Sequence, residues 1–382
     1  MSSRTLQPLP LSAVAPDLGA LHQLLDGSAS FAPVPLSDPV ETARLSGALG
    51  VGEPIDPDIA LVIATSGTTG TPKGAQHSTA SVTASIDATH AHLGGPGGWL
   101  LTLPPHHIAG LQVLLRSLRA GVEPTTIDVS RGFDPTDLVR ALESMSSTRR
   151  YTSLVPTQLV KVLDHPGAVS ALREVDAVLV GGAATPLRLR ERATAAGIPI
   201  VGTYGMSETC GGCVYDGVPL PGTRIRIDGG HPGRVVLGGP MVASGYRGRP
   251  DHPAFAEPGW FRTDDLGEFA SDGILTIVGR TDEAISSGGL TIVPQVVEAA
   301  ILSDPAIGDC AVFGLPDERL GDKVVAAVVA SPGANPTAES VQASVARTLD
   351  RTAVPRDVFF VDDLPRRGPG KVDRAALRAL LS

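Results

Sequence analysis

Apolar and polar positions along this chain follow two periods. Ile59-Ala-Leu-Val-Ile-Ala64 is a short continuous apolar run that stops at a Ser/Gly/Thr cluster, which predicts a buried strand. Gly98–Leu103 and Asp176–Val180 read as further strands, while Leu111–Leu118 and Pro186–Ala196 carry helical spacing. The second of these helices has Pro186 just inside its start and Gly197 just past its end, the usual asymmetry of helix termini. Ile198–Thr203 resumes strand character. Strands alternating with helices predict an α/β layered domain with a largely parallel sheet. Residues 1–58, rich in Pro, Ala, Ser and Asp, yield only one helix, around Leu18–Leu25.

After Tyr215 the pattern changes. Arg224-Ile-Arg-Ile-Asp228 alternates with period 2, Arg234–Leu237 and Ile274–Val278 are short strands, and Gly and Pro separate them. This predicts an antiparallel β subdomain with hairpins. Beyond Gly279-Arg-Thr-Asp282 the pattern gives helix (Pro294–Leu302), strands (Cys310–Gly314, Lys323–Ala330), helix (Ala338–Leu349) and strand (Val358–Val361). The expected architecture is α/β: a large N-terminal α/β domain over residues 1–281 that includes the antiparallel subdomain, and a small C-terminal α+β domain over 283–382. The boundary falls near Asp282.

Composition narrows the function classes. At 382 residues the chain holds two or three domains, and 42% apolar with 19% charged residues excludes a disordered chain. The net charge of −9, from 40 acidic and 31 basic side chains, argues against nucleic acid as a partner. An anionic ligand must then be held by local amides and a few placed cations. The three cysteines, Cys210, Cys213 and Cys310, are too few for an extracellular disulfide framework. No leader pattern or run of 18 apolar residues occurs, so a cytoplasmic chain with no membrane span is expected. A homodimer is the prior expectation for a soluble enzyme. Only four of the basic residues are lysine (Lys73, Lys161, Lys323 and Lys371), so a lysine in a Gly-rich loop invites a chemical reason.

That loop is Thr65-Ser-Gly-Thr-Thr-Gly-Thr-Pro-Lys-Gly74, directly after the buried strand. Glycines let backbone N–H groups converge on one anion, and the hydroxyls and Lys73 add donors, so the segment suits a polyphosphate. It is not a Walker A loop, because Pro72 precedes Lys73 and Gly74 follows it.

The decamer resembles the phosphate loop of the adenylate-forming enzymes, which include acyl-CoA synthetases, luciferases and peptide-synthetase adenylation domains. Further motifs occur in that family's order over residues 59–375. Gly181-Gly-Ala183 resembles its adenine-shelf turn, and Tyr204-Gly-Met-Ser-Glu-Thr209 its aromatic-Gly-x-Thr-Glu segment. Arg262-Thr-Asp-Asp-Leu-Gly267 resembles its ribose motif, with Asp264 in place of a glycine. Gly279-Arg-Thr-Asp282 resembles its hinge, and Gly370-Lys371 its C-terminal catalytic lysine motif.

The resemblance implies roles. Thr65, Ser66, Gly67, Thr68, Thr69, Gly70 and Lys73 would hold the β- and γ-phosphates of ATP. Tyr204 and Gly205, with Gly181, Gly182 and Ala183, would enclose adenine. Ser207 would bond the α-phosphate, Glu208 would hold Mg²⁺, and Asp265 and Arg280 would bind the ribose. Lys371 would bridge the substrate carboxylate and the α-phosphate. Rotation about Asp282 would then present Ser287, Gly288 and Gly289 of Ser286-Ser-Gly-Gly289 to a thiol. His107, in Pro104-Pro-His-His107, would lie near the acid. Cys210-Gly-Gly-Cys213 lacks the second pair a zinc site wants and reads as pocket lining.

The implied reaction is ATP-dependent joining of a small carboxylic acid to CoA through an acyl-adenylate. Only 64 residues precede the loop, so the family's N-terminal subdomain is expected to be reduced. Tyr204–Gly217, with Ser153-Leu-Val-Pro-Thr-Gln158 and Ser286–Gly289, is similar to the short o-succinylbenzoate–CoA ligases of menaquinone biosynthesis. An amide synthetase, a carrier-protein loader and a non-catalytic nucleotide-binding regulator remain alternatives.

Overall fold

Ile59–Ala64 folds as its apolar run dictates: a strand buried on both faces. The computed structural model describes residues 4–65, 72–367 and 371–381. The chain divides into two compact units, one of Met1–Arg226 with Val236–Arg262 and the other of Ile227–Val235 with Thr263–Ser382.

The first unit contains two mixed sheets rather than one largely parallel sheet. One has six strands in the order Gly245–Tyr246, Gly74–Ser78, Ile59–Ala64, Ser30–Pro35, Arg4–Leu11, Pro54–Ile55. Its central strands run parallel, and Gly74–Ser78 returns antiparallel beside Ile59–Ala64. The other has seven strands in the order Val218–Pro219, Gly211–Tyr215, Ile200–Met206, Ala177–Val180, Arg150–Leu154, Gly98–Leu101, Thr125–Thr126. Here five neighbouring strands are parallel, and Gly211–Tyr215 and Val218–Pro219 complete the sheet antiparallel. Leu100, Leu154 and Val178 from this sheet pack with Leu138, Leu142, Leu159 and Leu172 from its covering helices.

Residues 1–58 contribute far more structure than their composition predicts. Besides helix Leu18–Asp26 they supply strands Arg4–Leu11 and Ser30–Pro35 and helix Pro39–Leu49. The helix expected at Leu111–Leu118 begins earlier and spans Ile108–Arg119. Thr79–His92 is a helix that the sequence pattern did not suggest. Its N-cap Ser78 accepts from the Ser81 amide, and its buried face mixes Val82 and Ile86 with Ser81, Ser85, Thr89 and His90.

In the second unit, strands Trp260–Phe269 and Leu275–Arg280 pair antiparallel, with Asp265 opposite Arg280. A five-stranded sheet follows, built around Ile307–Asp317 and Gly321–Ala330. Alternate residues of these two long strands serve two cores. Val312, Ala326 and Val328 meet Val297, Ile301, Val341 and Val345 on one face. Ala311, Phe313, Val325 and Ala327 meet Leu364 and Leu377 on the other. Among the described residues no helix is long and apolar enough to cross a membrane.

All three cysteines are free and buried. Burial pushes the thiols of Cys210 and Cys213 up to about 12 and that of Cys310 well above the usual range. A thiolate is the reactive form, so all three are held inert. The native protein is therefore expected to leave a thiol-titrating reagent unreacted at neutral pH and to yield all three thiols in denaturant. A fast-reacting cysteine in the native state would contradict this burial.

Candidate active site

The threonine-rich loop joins two antiparallel strands, so it is the tip of a hairpin. The Thr65 amide donates to the Lys73 carbonyl at 2.8 Å and closes its neck. Ser66, Gly67, Thr68, Thr69 and Gly70 lie outside the described residues. Thr65 is buried at the neck, and its Oγ1 has no hydrogen-bond partner. Such an orphaned hydroxyl suits a site that receives a polar ligand. The Lys73 ammonium lies 4.5 Å from the centre of the Tyr246 ring, a cation–π distance.

Tyr246 links three parts of this unit. Its backbone pairs with Ala75 of the hairpin, and its hydroxyl donates to Glu208 Oε1 at 2.5 Å. Phe255 and His252 pack edge-on against its ring at 5.0 and 4.7 Å. Tyr246 carried no sequence signal beyond being one of four tyrosines.

Strand Ile200–Met206 delivers Tyr204 and Gly205 and then breaks into the single turn Ser207–Thr209. A β-bulge falls between Tyr204 and Gly205. A Cβ on Gly205 would meet the Gly211 carbonyl oxygen at 2.2 Å, so this position requires glycine. The turn is bound to the other sheet. Ser207 Oγ donates to the Ala64 carbonyl at 2.9 Å, and His77 Nε2 donates to the Ser207 carbonyl at 2.7 Å. The Ala243 amide donates to the Glu208 carbonyl at 2.8 Å. Cys210 then takes a left-handed φ of 53°, and Gln112 Nε2 donates to its carbonyl at 2.8 Å.

The C-terminal ends of neighbouring parallel strands gather the remaining residues of this unit. Gly181, Gly182 and Ala183 follow strand Ala177–Val180, beside the segment that reaches Tyr204. A Cβ on Gly181 would lie 2.2 Å from Thr203 Oγ1. His107, half-buried, starts helix Ile108–Arg119 without a side-chain capping bond. The crevice at the carboxyl ends of such strands is where open α/β sheets bind ligands.

The second unit holds the other predicted residues. Asp265 is buried, and its Oδ1 lies 2.9 Å from Arg280 Nη1. The same guanidinium grips Asp282 with Nε and Nη2 at 2.8 and 2.9 Å. Burial works against the Arg280 charge, but the Asp282 bonds and the nearby Asp265, Asp282 and Glu283 carboxylates outweigh it and raise its pKa. Asp264 is on the opposite strand face from Asp265, as alternation requires, and lies 3.7 Å from Arg234. Ser287, Gly288 and Gly289 form a tight hairpin in which both glycines have positive φ, 60° and 80°, as a type I′ turn demands. Lys371 is exposed on a two-residue strand, Lys371–Val372, paired with Arg366–Arg367.

The family model described as AMP-binding enzyme matches residues 11–247, and the AMP-binding enzyme C-terminal domain matches residues 296–371. The chain belongs to the AMP-binding enzyme family. This AMP-binding enzyme is 56% identical over 369 residues to a Mycobacterium tuberculosis protein named probable 2-succinylbenzoate–CoA ligase, covering 96% of this chain and 95% of that protein. It is 33% identical over 346 residues to a Geobacillus protein named 2-succinylbenzoate–CoA ligase, covering 85% and 69%. Among solved structures it resembles o-succinylbenzoate-CoA synthetase from Bacillus subtilis in complex with its acyl-adenylate intermediate. That match has a TM-score of 0.74 and 27% identity, over 94% of this chain and 80% of that one.

His77 is the second residue the sequence did not single out; it is a fully buried polar residue between two half-buried ones, a position that no local pattern marks. Burial pushes its pKa down to about 4, against the bond to Ser207, and Ser81 Oγ lies 3.3 Å from its Nδ1. Burial also lowers His90 to about 4, assisted by Arg116. Both imidazoles are neutral at pH 7. They take up protons more readily in the unfolded chain, where the ordinary value is 6.5. Their contribution to stability is thus complete above pH 6.5 and is lost as pH falls toward 4. Each group's share of the slope is up to about 1.4 kcal/mol per pH unit. Denaturant unfolding across that window should show the loss, and His77→Gln should remove about one proton's share of it.

Proposed function

We propose that this enzyme is an AMP-forming acid–CoA ligase acting through an acyl-adenylate, and that its acid is 2-succinylbenzoate. The observation that carries the reading is the 56% identity with the M. tuberculosis relative across 96% of the chain.

The chemistry has two halves. A carboxylate oxygen of the acid bonds to the α-phosphorus as the bond to pyrophosphate breaks. The CoA sulfur then bonds to the acyl carbon as AMP leaves and the thiol proton is lost. The first half brings together anions that repel, so positive charge and donors must be placed beforehand.

Residues 65–70 and Lys73 supply these at the β- and γ-phosphates. Tyr204 gives adenine a flat face, and Gly181, Gly182, Ala183 and Gly205 leave space around it. Ser207 exchanges its Ala64 carbonyl partner for the α-phosphate. Asp265 accepts from the ribose hydroxyls and Arg280 donates to them; their direct pairing supports a shared role. Lys371 adds a compact ammonium that reaches both the acid carboxylate and the α-phosphate. His107 borders the acid. Rotation about Asp282 then withdraws Lys371 and brings Ser287, Gly288 and Gly289 to line the thiol's path.

The residues present fit Mg²⁺. Glu208 is a buried carboxylate with a hydroxyl donor on one oxygen, and Mg²⁺ takes one or two carboxylates together with substrate phosphates. Once bound, the ion offsets phosphate charge, and Glu208, oriented by Tyr246, provides its protein ligand.

Exchange of pyrophosphate into ATP tests the first half. It is expected to depend on 2-succinylbenzoate and to fall about 10²–10³-fold in Lys371→Ala. Thioester formation from supplied acyl-adenylate should change far less in that variant. Exchange with no acid in an aromatic and aliphatic panel would sink the ligase reading. Exchange with other acids alone would sink only the choice of acid, and an amine product formed in preference to the CoA thioester would make the enzyme an amide synthetase.

A further inference from the structure

Lys371 is carried by a hairpin of only two residue pairs, Arg366 with Val372 and Arg367 with Lys371. A ladder this short is marginal by itself, and its flanks add anchors. Upstream, Arg366 pairs with Asp309 of strand Ile307–Asp317. Downstream, the Asp373 amide donates to the Pro365 carbonyl at 2.7 Å, and Asp373 Oδ1 accepts from the amides of Ala375 and Ala376 at 3.1 and 3.0 Å. Asp373 therefore starts helix Arg374–Leu381 within two residues of Lys371.

The next residue, Arg374, is out of place by local rules. A cation in the first turn of a helix opposes the macrodipole. Yet this side chain is only 14% exposed, and its fork reaches three separate segments. Nε donates to the Val312 carbonyl at 3.1 Å. Nη2 donates to Glu298 Oε1 of helix Pro294–Ile301 at 2.6 Å. Nη1 lies 3.0 Å from Oε2 of Glu283, the residue directly after Asp282. Glu283 is held in turn by Gln295, and Glu298 Oε1 also accepts the Val312 amide at 2.8 Å. One buried guanidinium thus ties the lysine hairpin to the chain segment beside the proposed hinge.

We propose that Arg374 is a positioning residue for Lys371: by joining Glu283, Glu298 and Val312 it makes the lysine hairpin rigid with the C-terminal side of the hinge, so that rotation about Asp282 delivers the ammonium as a stiff arm. This rests on the roles given to Lys371 and Asp282 above. Lysine in place of Arg374 keeps the charge but cannot serve three acceptors in a planar fork.

The experiment compares wild type, Arg374→Lys, Glu283→Gln and Lys371→Ala in both half-reactions, with circular dichroism and thermal midpoints as checks on folding. In folded Arg374→Lys, pyrophosphate exchange should fall about 10–100-fold, the scale of a misplaced reacting group, while thioester formation from supplied acyl-adenylate is retained. Glu283→Gln removes only the hinge-side contact and should lower exchange selectively even if Arg374→Lys does not fold. A general weakening of the domain would slow both half-reactions together, and that outcome overturns the proposal. So does exchange at the wild-type rate in both variants while Lys371→Ala loses it. If Lys371→Ala itself retains exchange, the role of Lys371 fails first, and the role of Arg374 with it.

Discussion

One short turn has to be held against a sheet to which it does not belong. Ser207–Thr209 ends a strand of the seven-stranded sheet, to which Thr209 stays bonded, but three further bonds reach the six-stranded one: Ser207 to Ala64, His77 to Ser207, and Tyr246 to Glu208. A buried imidazole suits this task. It donates through one nitrogen and has an acceptor left on the other, and it carries no charge that would have to be desolvated. These bonds set the proposed magnesium ligand and α-phosphate donor beside the neck of the threonine-rich loop. Tyr246 adds a face for Lys73, so one side chain orients an anionic and a cationic group together.

The second unit relies on a different device, the arginine fork. Arg280 holds three carboxylates, those of Asp264, Asp265 and Asp282, and the buried Arg374 holds two, those of Glu283 and Glu298. The chain's sparing use of lysine takes on a physical sense in this light. Lys323 makes an ordinary ion pair with Asp357 at 2.7 Å, and Lys161 reaches the Phe133 carbonyl at 3.4 Å, so two of the four lysines are structural. The other two, Lys73 and Lys371, are those in glycine-bearing segments, where a mobile point charge has an advantage over a planar fork.

How much of this could be read in the sequence depended on whether the deciding interactions were local. Ile59–Ala64 and Arg224–Asp228 were legible to the residue because a single pattern sufficed. Arg4–Leu11 and Ser30–Pro35 were hidden by their prolines. Pro8 and Pro10 lie past the short stretch where Arg4 and Thr5 pair with Pro54–Ile55, and Pro33 and Pro35 lie past the Phe31–Leu61 contact. Each proline thus sits where one side of its strand has no ladder to break. Helix Thr79–His92 was hidden because its buried polar groups find distant partners, Ser85 at Cys210 and Thr89 at Tyr215. The residues proposed for function divide in the same way. Lys73, Glu208, Asp265, Arg280 and Lys371 sit in short recognisable motifs. Tyr246, His77 and Arg374 act through residues dozens of positions away, which no local window registers.

Both sheets of the first unit finish on strands only two residues long: Gly245–Tyr246 and Pro54–Ile55 in one, Val218–Pro219 and Thr125–Thr126 in the other. A border this brief offers a passing chain almost no unpaired backbone to zip against, which guards the fold against edge-to-edge aggregation. At one of these borders the guard is also an instrument, since the dipeptide that closes the six-stranded sheet carries the aromatic ring beneath the loop lysine. A change that lengthened or loosened that border would reach the loop lysine as well as the sheet edge.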